Sequence, residues 1–232
     1  MEISTALSST GAVRAFTDEP VDRRTIYELL DVARFAPNGG NRQAWRVVLV
    51  EDPVKRVAVR DLYLPPWYEY LAQGAAGLTP WAPVTDEAAE AAAIAQGPAV
   101  AAQAAEGPGG FAEHLDTAPV LLLLLADLRR LAAVDKDAER YSFIGGASIY
   151  PFAWSILLAA RDRGLGGVLT TMVVRREGEL RQLFGFDEAT AVAGLLVLGH
   201  PVHQPTKLRR ATVESFTTID AADGPPLTAA GG

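Results

Sequence analysis

A proline, two glycines and three carboxamides separate a helix-like pattern from a strand-like one, in the stretch Ala36-Pro37-Asn38-Gly39-Gly40-Asn41-Arg42-Gln43-Ala44-Trp45. No single element can pass through it. Pro37 pushes Ala36 out of the α region and stops the helix. Gly39 and Gly40 accept backbone angles that a side chain forbids, and they let a ligand approach the main chain. Asn38, Asn41 and Gln43 each bring a donor and an acceptor, which suits a flat heterocycle edged with carbonyls and ring nitrogens. The same residues also make an ordinary surface turn, and both readings stand at this point.

Periodicity sets the elements on either side. Asp22 caps a helix in which Ile26, Leu29, Leu30 and Ala33 share one face, with Arg23, Arg24, Glu28 and Asp31 off it. Residues 46–50 form a strand, and Glu51-Asp52-Pro53 leads into a helix that runs to about Leu62. The longest apolar run, 118–126, is too short to span a bilayer and predicts a buried strand over 120–126. Residues 127–144 are loop-like. The segment 147–158 is apolar on nearly every side, which predicts a buried helix, and Gly164 stands where a left-handed helix end is expected. A short amphipathic helix follows at 176–184 and a second buried strand at 191–198. Residues 212–219 alternate weakly, and 221–232 are expected to fray.

Composition narrows the function classes. With 232 residues, 49% of them hydrophobic, the chain can bury a core and is not disordered throughout. A net charge of −7 argues against a general nucleic-acid binder, so an anion site must be local. The absence of cysteine excludes disulfides, thiolate metal sites and cysteine nucleophiles. His114, His200 and His203 lack a metal-ligand spacing, and no metal is expected. Residues up to Ala12 have no charged-then-apolar leader, so the expected address is the cytoplasm, with no membrane partner.

Against that acidic background a few groups stand out. Arg14 is the one charge in a small, apolar stretch; it is either solvated or aimed at a bound phosphate or flavin edge. Gly164-Leu165-Gly166-Gly167-Val168-Leu169-Thr170-Thr171 is a glycine-rich entry to a strand, able to meet a ring through its backbone, with two hydroxyls to adjust. Lys207-Leu208-Arg209-Arg210 is either a solvated face or a phosphate clamp. The block 63–112 holds Tyr63, Trp67, Tyr68, Tyr70 and Trp81 among prolines, then an alanine-rich stretch. It reads as an excursion whose aromatic hairpin is either a lid over a flat ligand or the packing of a subunit interface. No dinucleotide fingerprint, phosphate-binding Walker loop or Ser-His-Asp arrangement is present, so the chemistry is expected to come from a cofactor.

Four of these segments, in order, resemble the FMN-dependent nitroreductase family. Val13-Arg14-Ala15-Phe16-Thr17-Asp18-Glu19-Pro20-Val21 is similar to the family's N-terminal entry, and 36–45 to its Pro-Ser-x-x-Asn-x-Gln-Pro-Trp turn. Gly164 to Thr171 is similar to its Gly-Leu-Gly turn and strand, and 207–210 to its late phosphate-binding cations. Thr10, Gly11 and Ala12 depart from it, where the family carries arginine and serine; Asn38 and Ala44 stand for its usual serine and proline.

The resemblance implies an α+β fold, a central, mostly antiparallel sheet flanked by helices, in an intertwined homodimer. It implies a single domain over 1–232, with a variable insertion at about 63–112 and an arm at about 205–232. It implies FMN, with NADPH or NADH as reductant. Carried over, Arg14, Lys207, Arg209 and Arg210 would hold the phosphate, Arg14 also serving the ring. Pro37, Asn38, Gly39, Asn41 and Gln43 would line one side of the flavin. Gly166, Gly167, Leu169, Thr170 and Thr171 would line the other. Trp67, Tyr68, Tyr70 and Trp81 are the candidate substrate-facing residues. The implied activity passes hydride from NAD(P)H to electron-poor aromatics, such as nitroaromatics or quinones, by a ping-pong cycle. The alternatives are another flavin reaction (flavin fragmentation, dehalogenation, oxidation of a peptide-derived substrate) or flavin binding without turnover.

Overall fold

Two apolar runs pair at the centre of the molecule. Strand β2 (Val120–Asp127) lies antiparallel to β4 (Thr190–Gly199), with β1 (Trp45–Leu49) on its far side and β3 (Gly166–Thr170) beyond β4. The order is β1-β2-β4-β3, antiparallel throughout. These positions come from a computed structural model, which describes residues 1–229.

Side chains alternate across a strand. Leu122 and Leu124 meet Trp45, Phe152 and Ile156 on one face, while Leu121, Leu123 and Leu125 meet Val59, Tyr63 and Leu180 on the other. Covering both faces explains why β2 is apolar at every position rather than at every second one. Helices α2 (Arg23–Ala33) and α6 (Tyr150–Asp162) cover the first face; α3 (Pro53–Ala75) and α7 (Glu177–Phe184) cover the second. The remaining helices are α1 (Ile3–Ser9), α4 (Glu87–Ile94) and α5 (Gly97–Ala104). Asp22 caps α2, accepting from the Thr25 N–H, and Gly164 takes φ +76° just past α6, both as the local sequence requires.

Three expectations are corrected. The helix from Pro53 does not stop near Leu62 but continues to Ala75 through Pro65 and Pro66, so the aromatic residues begin on a helix and not a hairpin. The prolines withhold two helical donors, but Tyr63, Pro66, Tyr68 and Ala72 bury their side chains against neighbouring elements, and this packing prevails over local preference. Helix α6 starts at Tyr150, after a 3-10 turn over Ile144–Ser148, and Tyr150 and Trp154 are exposed rather than buried all round. The weak alternation at 212–219 yields a 3-10 turn (Val213–Ser215) and a single bridge between Thr218 and Pro226. Residues 230–232 of the expected frayed tail lie outside the described residues. No helix among the described residues is long and apolar enough to cross a membrane.

Candidate functional site

Strand β3 ends the sheet, and its free edge is where the N-terminal segment, α6 and the C-terminal arm meet. The Val13 N–H donates to the Gly167 carbonyl at 2.9 Å, and Ala12 bridges Gly167 in parallel. Gly166 admits this segment, and Gly167 admits the pairing with β4. A Cβ on Gly166 would lie 2.7 Å from the Val13 side chain, and one on Gly167 would lie 2.7 Å from the Val197 carbonyl oxygen. The glycine pair therefore has a packing reason independent of any ligand. Because N–H and C=O of one residue point to the same side of a strand, Leu169 turns its backbone polar groups toward the free edge, as Gly167 does.

Beside that edge lies a cavity of about 420 Å³. Its floor is Gly167, Val168 and Leu169; Tyr150, Trp154 and Leu157 of α6 form an apolar wall; Arg14 and Arg210 stand on its rim. Among the described residues neither guanidinium has a carboxylate partner. Burial pushes the Tyr150 phenol above its ordinary pKa, so it is neutral here. Two uncompensated cations on an apolar, flat-floored cavity suit an anionic ligand with a planar body. That donor set and size fit FMN.

The arm reaches the cavity by crossing α1. Leu208 donates its N–H to the Ser8 carbonyl at 3.0 Å, and a Cβ on Gly11 would lie 2.9 Å from the Leu208 side chain. Gly11, which in sequence looks like a lost phosphate cation, is the residue that admits the arm. Lys207 and Arg209 are exposed on this strap beside Arg210.

Of the residues expected at the site, the chain brings Arg14, Gly167, Leu169 and Arg210 to one cavity, with Gly166 packed behind it on Val13. Thr170 follows Leu169 and bonds Tyr63, their oxygens 2.9 Å apart. Thr171 is exposed at the strand's end.

The carboxamide turn lies elsewhere on the same chain, against Ser148, whose Oγ accepts from the Gly39 N–H at 3.0 Å. None of its residues lines the cavity. Asn38 is engaged internally: its Oδ1 accepts from the Gln43 N–H at 2.8 Å. The Gln43 amide bonds Asn41, and Gly39, Asn41 and Gln43 stay exposed. Asn41 and Gln43 both take φ +51°, a strained conformation for glutamine in particular.

The expected substrate-facing rings also lie off the cavity wall. Trp67 and Tyr70 stack with centroids 5.6 Å apart; Tyr63 adjoins one end and Trp81 the other, under the Arg175 guanidinium. Tyr68 turns away and donates to Glu113 at 2.9 Å. Burial, then that bond to a carboxylate, pushes its phenol up to about 12.

Sequence reasoning missed Tyr150 and Trp154 of the cavity wall. Tyr150 and Trp154 stand one helical turn apart, with the buried Phe152 between them, in a segment otherwise of small and aliphatic residues. Rings with polar tips at that spacing favour a half-exposed face, and that signal was available.

The profile of the Nitroreductase family matches residues 8–200. The chain belongs to the nitroreductase family. As a nitroreductase-family member it is 22% identical to the FMN reductase [NAD(P)H] of Bacillus subtilis, over 92% of this chain and 72% of that protein. It is 27% identical to iodotyrosine deiodinase 1 of Rattus norvegicus, over 90% of this chain and 66% of that protein. Its fold is similar to that of nitroreductase A from Vibrio parahaemolyticus, with a TM-score of 0.63 at 20% identity, covering 96% of this chain and 78% of that one. A nitroreductase-like fold, an antiparallel sheet flanked by helices, is thus what the chain adopts.

Proposed function

We propose that the protein is an FMN-dependent oxidoreductase that takes hydride from NAD(P)H and passes it to electron-poor aromatics such as nitroaromatics or quinones. The observation that carries this reading is the cavity on the free edge of β3, where Arg14 and Arg210 stand without carboxylate partners among the described residues, over a backbone floor. The relative named an FMN reductase supports the cofactor and the reductant.

Bound FMN would supply the hydride chemistry, accepting and returning it at N5. The chain's own residues bind and orient. Arg210, with Lys207 and Arg209 on the same strap, holds the phosphate through charge-assisted bonds. Arg14 sets a fixed positive charge beside the ring and favours negative charge that develops there. Tyr150, Trp154 and Leu157 keep water from one side of the cavity. The reductant leaves before the acceptor enters, which is a ping-pong order. A second copy of the chain completes the site: the turn at 36–45, which does not line its own cavity and is largely exposed, serves the cavity of its partner.

The visible spectrum of the purified protein tests this, before and after NADPH is added without oxygen. A flavin absorption that bleaches on addition is the expected result. A colourless protein that takes up no added FMN overturns the reading. The deiodinase relative supports a second reaction on the same cofactor, reductive dehalogenation. Release of halide from a halogenated phenol, with no turnover of nitroaromatics or quinones, would favour it.

A further inference from the structure

Arg14 lines a second cavity as well as the one on β3. The second, of about 340 Å³, lies between the N-terminal segment and the loop that leads into β2. Arg14, Phe16 and Asp18 come to it from the segment, and Phe111, His114 and Pro119 from the loop. Rings with a few polar groups around a space of that size suit a small molecule.

The segment is held extended along the sheet. The Val13 N–H donates to the Gly167 carbonyl at 2.9 Å, the Ala15 carbonyl accepts from the Val202 N–H at 3.0 Å, and the Thr17 N–H donates to the His200 carbonyl at 2.9 Å. Side chains alternate along such a stretch, so Arg14 and Phe16 share a face, and Asp18 follows where the chain bends. The order along the cavity is therefore cation, ring, carboxylate. On the opposite wall Phe111 meets Tyr63 edge-on, with centroids 6.3 Å apart. His114 Nε2 lies 2.9 Å from the Pro108 carbonyl oxygen. A carbonyl only accepts, so Nε2 carries the proton and Nδ1 of the neutral ring is an acceptor.

Among the described residues neither Arg14 nor Asp18 has an ion-pair partner, and they do not pair with each other. A ligand that meets both must carry charges of both signs and hold them apart. Four residues of chain span at most about 14 Å, a gap that two side chains and a few carbons can bridge.

The geometry points to a second ligand site, beyond the proposed FMN cavity and sharing Arg14 with it, for a small zwitterion whose carboxylate and ammonium end an apolar chain, as in an ω-amino acid. The carboxylate meets the Arg14 fork. The apolar chain lies against Phe16, Phe111 and Pro119, and the ammonium meets Asp18 through a charge-assisted bond. A simple carboxylate leaves Asp18 without a partner, and a simple amine leaves Arg14 without one. The site stands whether or not FMN fills the cavity on β3.

Isothermal titration calorimetry of the purified protein tests this, with 6-aminohexanoate as the probe and hexanoate and hexylamine as its single-charge analogues. The variants are Asp18→Asn and Arg14→Gln. Asp18 is exposed and does not line the β3 cavity, so its replacement reports on this site and not on that one. The expected result is 6-aminohexanoate bound once per chain with a Kd of about 1 mM or tighter. Each analogue should bind about tenfold or more weakly, the value of one charged hydrogen bond. Asp18→Asn should weaken 6-aminohexanoate by about tenfold and leave hexanoate within about twofold, whereas Arg14→Gln should weaken both. A native Kd weaker than about 1 mM, an analogue that binds as tightly as the zwitterion, or an Asp18→Asn protein that binds 6-aminohexanoate as the native protein does would each overturn the site. Flavin-loaded protein that ignores 6-aminohexanoate overturns the site alone. Protein that takes up no FMN yet binds the probe as expected overturns the cofactor reading alone.

Discussion

A tight constraint on a single residue falls on Gly167 in the sheet. A Cβ there would lie 2.4 Å from the Leu198 side chain and 2.7 Å from a backbone oxygen of the neighbouring strand, which has nowhere to go. Gly167→Ala should cost about 1–3 kcal/mol, as overpacking does, and should loosen the strand that floors the cavity. Urea unfolding checks it, and a midpoint equal to native would refute it. Asp135 is a different kind of constraint. It is nearly buried in the loop before α6, and it accepts from the Phe143 N–H, Arg140 and Ser142. Burial raises its pKa, but these bonds outweigh burial and hold it down at about 2. A depressed carboxyl stabilises the fold above its unfolded pKa and loses that contribution as pH falls through the folded value. Asp135→Asn should therefore melt below native at neutral pH, and the two melting curves should converge as pH falls toward about 2. A gap that stays constant with pH would count against this. The Asp22 cap and the left-handed Gly164 were legible in sequence because their partners lie within a few residues. The reasons for Gly11 and Gly167 were not, because Leu208 and Val197 reach them only in the folded chain.

At the scale of elements, the strands and helices α2, α6 and α7 were legible, α3 was cut short, and α1, α4 and α5 were not expected. Continuous apolar runs fixed β2 and β4, since a short run between polar flanks has few other solutions. Helix α3 was cut short because Pro65 and Pro66 are strong local breakers, while the contacts that overrule them are tertiary. The same limit hid the cavity wall: α6 read as buried on all sides, yet Tyr150 and Trp154 face out. The strap at 205–210 was legible as a charge cluster, but its route over α1 depends on the bond from Leu208 to Ser8. That route places Arg210 on the cavity, and it makes a prediction that separates phosphate from ring. Arg210→Ala should weaken FMN by about tenfold or more, the value of a charged hydrogen bond, and leave riboflavin affinity unchanged. Equal losses for both ligands, measured by fluorescence titration, would remove Arg210 from the phosphate.

The whole molecule carries more exposed apolar surface than its cores explain. Ile3 and Leu7 of α1, Val32 and Phe35 of α2, and Phe216 of the arm are all exposed large side chains. Contiguous surface of that kind marks an interaction site, and Tyr150 and Trp154 of α6 add exposed rings on the cavity wall. The proposed homodimer would cover it and would also explain why the carboxamide turn is exposed and does not line its own cavity. Exchange of subunits between two disabled variants tests this directly. Take Arg210→Ala, which damages the strap, and Asn41→Ala, which damages the turn. In a dimer whose turn serves the partner's cavity, each mixed dimer holds one intact site and one doubly damaged site. Random exchange should then restore full FMN affinity to about a quarter of all sites, by the arithmetic of a twofold assembly. If the turn instead serves its own chain, every cavity in a mixed dimer keeps one lesion and mixing restores none. A chain that remains monomeric at the concentrations of the titration would give the same flat result, and sedimentation of the mixture tells the two apart.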